Sequence, residues 1–156
     1  MTTVAWDGKI IATDSQGTAG STAFYDMEKL VSVNGCMVAT LGDQDLGEAF
    51  MDWFADGADP EHKPFKPEES EGFCAVVVDT EGVCRAYYNQ LIPCPVSKIQ
   101  AWGSGQGIVF GLMHDGKTAK EAMEILCRKK LDVYTGGKVQ WATMEAVKKG
   151  KKSRQS

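Results

Sequence analysis

The sequence predicts an α+β fold, with layers of helix outside layers of antiparallel sheet. Three observations carry that prediction. Apolar runs of strand length come in pairs, glycine-containing turns join the members of a pair, and helical spacing is confined to stretches set apart from the pairs. The chain shows no internal repeat. Its 156 residues suit one domain, expected over 1–142, with 143–156 expected as a basic, disordered tail.

The elements follow in order. Residues 4–6 run into Asp7-Gly8 and residues 9–12 run out again, a hairpin signal because glycine accepts the positive φ of the turn. Residues 15–26, rich in Ser, Thr, Gly and Ala, read as a loop. Residues 30–33 and 36–41 flank Asn34-Gly35, the preferred pair for a type I′ turn. Asp45 stands where it can cap a helix carrying Leu46, Ala49, Phe50, Trp53 and Phe54 at helical spacing, which ends near Asp56-Gly57. Residues 58–72 hold three prolines and five acidic residues without periodicity and read as an exposed loop. Residues 73–78 and 83–88 form another strand pair, and 89–96, with two prolines, reads as irregular. Residues 99–102 enter Gly103-Ser104-Gly105-Gln106-Gly107, from which a helix runs over 106–113. Thr118, with Glu121 at the capping-box position, starts a helix reaching residue 130. Residues 131–137 read as a strand end or turn, and 138–142 as a last strand.

Composition narrows the function. A net charge of −4 argues against a general nucleic-acid binder, and no apolar stretch approaches the length of a membrane span. Lys148, Lys149, Lys151, Lys152 and Arg154 make the tail basic, which reads as a solvated end. The five cysteines are odd in number and lack metal-ligand spacing, so they read as reduced thiols of a cytoplasmic protein, packed as small hydrophobes. Neither a cofactor nor a metal is expected. The two histidines, His62 and His114, sit in turn-like settings without companions. A histidine-dependent hydrolase is therefore not expected, and any catalytic base must come from elsewhere.

The start of the chain offers one. It lacks the basic and apolar regions of a signal peptide. Removal of Met1 would leave Thr2 with a free α-amine, placing a nucleophile and a base on one residue. Four distant places hold polar groups beside expected strand ends: Asp14 closes the second strand, Lys29 opens the third, Ser104 sits between glycines, and Asp132 and Thr135 stand in Asp-Val-Tyr-Thr-Gly-Gly. Each has a structural alternative: a loop end, a solvated lysine, a helix N-cap, a turn cap. The glycines at 103, 105 and 107 are misplaced for a dinucleotide fingerprint.

Taken together and in this order, the pieces resemble the proteasome β-subunit and HslV peptidase group, the N-terminal-nucleophile threonine hydrolases. The matching pieces are Thr2-Thr3, Gly8-Lys9 followed by Ala12-Thr13-Asp14, Glu28-Lys29, Val38-Ala39-Thr40-Leu41, Gly103-Ser104-Gly105, and Asp132 with Thr135-Gly136-Gly137. They span Thr2 to about Trp141. The resemblance implies an αββα sandwich of antiparallel sheets flanked by helices. It implies Thr2 as nucleophile, Lys29 near its hydroxyl, Asp14 holding Lys29, and Ser104, Asp132 and Thr135 around the α-amine. It implies the Thr40 main-chain N–H as oxyanion donor, with Val38 and Thr40 lining the substrate pocket. An α-amine titrates at about 7.7–8.0, and a neighbouring ammonium would favour its neutral form.

The resemblance further implies a peptide or unfolded-protein substrate and a homo-oligomer, a ring among the arrangements. It admits an ATP-dependent unfoldase that no residue here supports, and implies neither nucleic acid nor membrane as partner. Two departures stand out. Thr40 replaces the family's usual glycine, and residues 43–72 offer one short helix and an acidic proline loop where the family has two long helices. A non-catalytic assembly subunit and an amidohydrolase of small amides therefore stay open as alternatives.

Overall fold

The structure, a computed structural model, describes residues 2–19 and 22–143. The described elements are β1 (Thr3–Trp6), β2 (Ile10–Thr13), β3 (Gly17–Ala19), β4 (Thr22–Phe24), β5 (Leu30–Val33), β6 (Cys36–Leu41) and α1 (Gln44–Ala55). After them come β7 (Cys74–Val78), β8 (Cys84–Tyr87), β9 (Pro93–Val96), β10 (Gln100–Gly103), α2 (Gln106–His114), α3 (Ala119–Arg128) and β11 (Gln140–Thr143). The basic tail expected beyond residue 143 lies outside the described residues.

Two antiparallel sheets pack face to face. One has the order β10-β1-β2-β11 and the other β5-β6-β7-β8-β9, with β3-β4 as a separate hairpin. Strand alternation sorts the core into layers. Val4, Trp6 and Ile11 of the first sheet meet Met37, Ala39, Leu41, Val76 and Val78 of the second between the sheets. The opposite face of the first sheet gives Ala5 and Ala12 to Val109 and Met113 of α2 and Met123 and Leu126 of α3. The opposite face of the second gives Val38, Ala75 and Val77 to Phe50 and Trp53 of α1. The order is thus helices, sheet, sheet, helix: the expected α+β sandwich.

Local chemistry explains the elements that match expectation. Asp7 Oδ1 accepts the N–H of Lys9 at 2.8 Å and of Ile10 at 2.7 Å, closing the first hairpin, with Gly8 at φ 101°. Thr118 and Glu121 form the full capping box of α3. Other segments differ. The N-cap of α1 is Asp43, not Asp45: its carboxylate accepts the Asp45 N–H at 2.8 Å. The stretch 15–26 holds the β3–β4 hairpin, in which Gly17 leaves room for the Phe24 ring; a Cβ there would come within 2.3 Å of it. The stretch 89–96 holds β9, whose prolines are tolerated because β9 stands at the sheet edge, paired among the described residues only with β8. The five cysteines form no disulfide. Among the described residues no helix is long and apolar enough to cross a membrane.

Candidate active site

The site forms where β1 begins. Thr3 is fully buried there and joins two polar groups from different elements. Its N–H donates to Asp14 Oδ1 at 3.3 Å. Its Oγ1 accepts the Gly105 N–H at 2.9 Å and lies 2.7 Å from Thr135 Oγ1. Half-buried Thr2 immediately precedes it. Gly103, opposite Thr3 in the β1–β10 ladder, has φ 101°, and a Cβ on it would lie 1.8 Å from the Thr2 carbonyl oxygen. Only glycine lets the start of the chain run this close to β10.

The first polar group is buried. Asp14, at the end of β2, is 0% exposed and accepts Lys29 Nζ at 3.0 and 3.1 Å. It also accepts the N–H groups of Gln16 and Gly136, each at 3.2 Å. Burial holds the Lys29 ammonium below the ordinary lysine range, with the Asp14 carboxylate opposing that shift. The backbone carrying Lys29 is pinned by Gln140 of β11, whose Oε1 accepts the N–H of Lys29 at 2.8 Å and of Leu30 at 2.9 Å. Gly136 and Gly137 let the 131–137 segment close over this group: Cβ atoms there would meet Gln16 Oε1 at 2.6 Å and Ser15 Oγ at 2.3 Å.

The second group is open to water. Exposed Ser104 and buried Thr135 both donate hydroxyls to Asp132 Oδ2 at 2.5 Å, and they lie 3.3 Å from one another. Partial burial works to raise the Asp132 carboxyl. The hydrogen bonds from Ser104, Thr135 and the Tyr134 N–H outweigh it and hold the group below the ordinary range.

Asp14, Lys29, Ser104, Asp132 and Thr135 are therefore brought together around Thr3, the neighbour of Thr2. The side chains of Val38 and Thr40 do not line the cavity beside Thr2. Val38 is fully buried in the core under α1, and Thr40 also faces that helix, where a Cβ on Gly47 would lie 2.6 Å from its Oγ1. The reason is the two-residue period of β6: Met37, Ala39 and Leu41 face the first sheet, so Val38 and Thr40 face away from it. The cavity beside Thr2, about 440 Å³, is bordered by Leu41 and Gly42 instead. Sequence reading also missed Thr3, Gln16 and Gln140 as organisers. Only the doubled threonine at the start hinted at any of them. Among the described residues, no three His, Cys, Asp or Glu side chains gather as a metal site.

The sequence matches no family model and no curated protein. Solved structures do match. BPH from Thiobacillus denitrificans in complex with epoxomicin superposes with a TM-score of 0.70 at 19% identity, over 91% of this chain and 97% of that one. A second BPH structure gives 0.68 at 19% identity, over 90% and 95%. HslV from Trypanosoma brucei gives 0.61 at 16% identity, over 91% and 98%. The chain has the HslV-type fold. At these identities the likeness speaks for the α+β sandwich alone, and the chemistry rests on the residues just described.

Proposed function

We propose that the chain is a threonine peptidase whose nucleophile is Thr2, made the first residue by removal of Met1. One observation carries the reading: Thr3, the next residue, hydrogen-bonds both to the Asp14 that holds Lys29 and to the Thr135 that joins Ser104 and Asp132. Both polar groups thus converge on the start of β1.

In the proposed reaction Thr2 Oγ bonds to the peptide carbonyl carbon as its proton passes to the Thr2 α-amine. The C–N bond then breaks, and the ammonium returns that proton to the leaving amine. Water, deprotonated by the same α-amine, hydrolyses the acyl ester and restores Thr2. The Lys29 ammonium favours the neutral amine and the developing alkoxide, and Asp14 holds it in place. The oxyanion is met by main-chain N–H groups at the end of β6. Leu41 and Gly42, which border the cavity beside Thr2, are better placed for this than Thr40. Assembly into a homo-oligomer acting on peptide or unfolded-protein substrates belongs to the same proposal. What supports it is the fold shared with HslV.

The test is hydrolysis of a peptide amide by the purified protein. Thr2→Ala is expected to lower kcat/KM about a thousandfold or more with unchanged circular dichroism. Full activity in that variant overturns the proposal.

A further inference from the structure

The acidic proline loop, residues 58–72, has no part in the chemistry above, yet its end borders the cavity beside Thr2. Trp102 of β10 and Tyr88 after β8 wall that cavity, and the Trp102 indole N–H donates to the Tyr88 hydroxyl at 3.1 Å across the gap between the sheets. Phe73 lies beneath, 2% exposed. Glu71 stands at the rim. It is the one Asp, Glu, Lys or Arg among the described lining residues, and no ion pair to it occurs among the described residues.

The position of Glu71 is fixed by local structure. Ser70 to Phe73 form a turn closed by the Phe73 N–H donating to the Ser70 carbonyl at 3.0 Å, with Gly72 at φ 82°. Ser70 is fully buried and its hydroxyl donates to the Lys66 carbonyl at 2.9 Å. Trp53 Nε1 to the Asp59 carbonyl, at 2.9 Å, and Lys63 Nζ to the Gln90 carbonyl, at 2.8 Å, tie the rest of the loop to the body. The backbone that carries Glu71 is thus a fastened turn, and its exposed side chain stands beside the cavity.

Aromatic walls with one carboxylate at the mouth suit a long apolar stem ending in a cation: the stem lies on the rings and the charge meets Glu71. An acidic side chain would meet like charge there. We infer that this cavity selects substrates carrying arginine or lysine beside the scissile bond, with Glu71 as the specificity-determining residue. The inference rests on the threonine-peptidase reading.

The experiment uses peptide amides identical except at the two positions flanking the scissile bond, which carry Arg, Leu or Glu. The wild-type protein is expected to favour Arg over Glu by about tenfold or more in kcat/KM, a preference that shrinks at high salt. Glu71→Gln should reduce that ratio to within about threefold, and Glu71→Lys should invert it. Equal cleavage of Glu and Arg peptides by the wild type, or an Arg preference that survives Glu71→Lys, overturns the selectivity and leaves the peptidase reading standing. Cleavage of no peptide by a preparation that begins at Thr2 overturns both.

Discussion

The Asp14–Lys29 pair and the Ser104–Asp132–Thr135 group lie on either side of Thr3, yet water reaches them very differently. The two side chains of the pair are 0% and 4% exposed, whereas Ser104 is exposed and Asp132 only half-buried. The pair is also more fully bonded. Asp14 accepts three backbone N–H groups besides the ammonium, so it binds the starts of β1 and β3 and the 131–137 segment into one unit. The open group is a short chain of hydroxyls on one carboxylate oxygen. Burial decides what each can tolerate. A buried charge that loses its partner has no water to replace it, while an exposed carboxylate does.

Substitutions should separate the two groups in that order. Asp14→Ala is expected to be the most damaging, because it removes the buried carboxylate that accepts the Lys29 ammonium and three backbone N–H groups; a loss of about 3–5 kcal/mol in urea unfolding is anticipated. Thr135→Val removes the hydroxyl that links Thr3 to the open group, and the same assay should show a loss of about 1–2 kcal/mol. Asp132→Ala should cost about 1 kcal/mol or less near neutral pH. Equal losses for Asp14→Ala and Asp132→Ala would break the contrast.

Titration sharpens it, because the two groups respond at opposite ends of the pH scale. Lys29 has a lowered folded-state value. Between that value and the ordinary value near 10.4 the unfolded chain binds more protons, so stability rises with pH across that window. Asp132 also has a lowered value, but as an acid. Its contribution is present above the unfolded value near 3.9 and is lost as pH falls through the folded one. Denaturation of the wild type against Lys29→Met should therefore differ in slope on the alkaline side. Against Asp132→Ala the difference should lie on the acid side.

What was legible in the sequence was legible for local reasons. Asp7-Gly8, Asn34-Gly35 and the Thr118–Glu121 box specify their turns and cap through bonds within a few residues, and all three stand where expected. Asp14, Lys29 and Ser104 adjoin the ends of β2, β5 and β10, and strand ends meet at one edge of a sandwich; Asp132 and Thr135 lie within the irregular segment between α3 and β11, and only the family resemblance points to them. The rest depended on distant contacts. The β3–β4 hairpin lacks apolar alternation and is fastened by Gly17 under Phe24 and by the Ser15 hydroxyl on the Tyr25 carbonyl. β9 carries prolines that only an edge position permits. The facing of Val38 and Thr40 was not legible because the facing of β6 is set by which sheet covers it. Gln140 is 111 residues from Lys29 in sequence, and nothing local marks it as the residue that pins that backbone.

The central claim is that the active chain begins at Thr2. Intact-mass measurement of a preparation with peptidase activity, joined to N-terminal sequencing, tests it most directly. The expected result is a mass short of one methionine, with threonine released in the first sequencing cycle. Full activity in a preparation whose every chain still carries Met1 would contradict it.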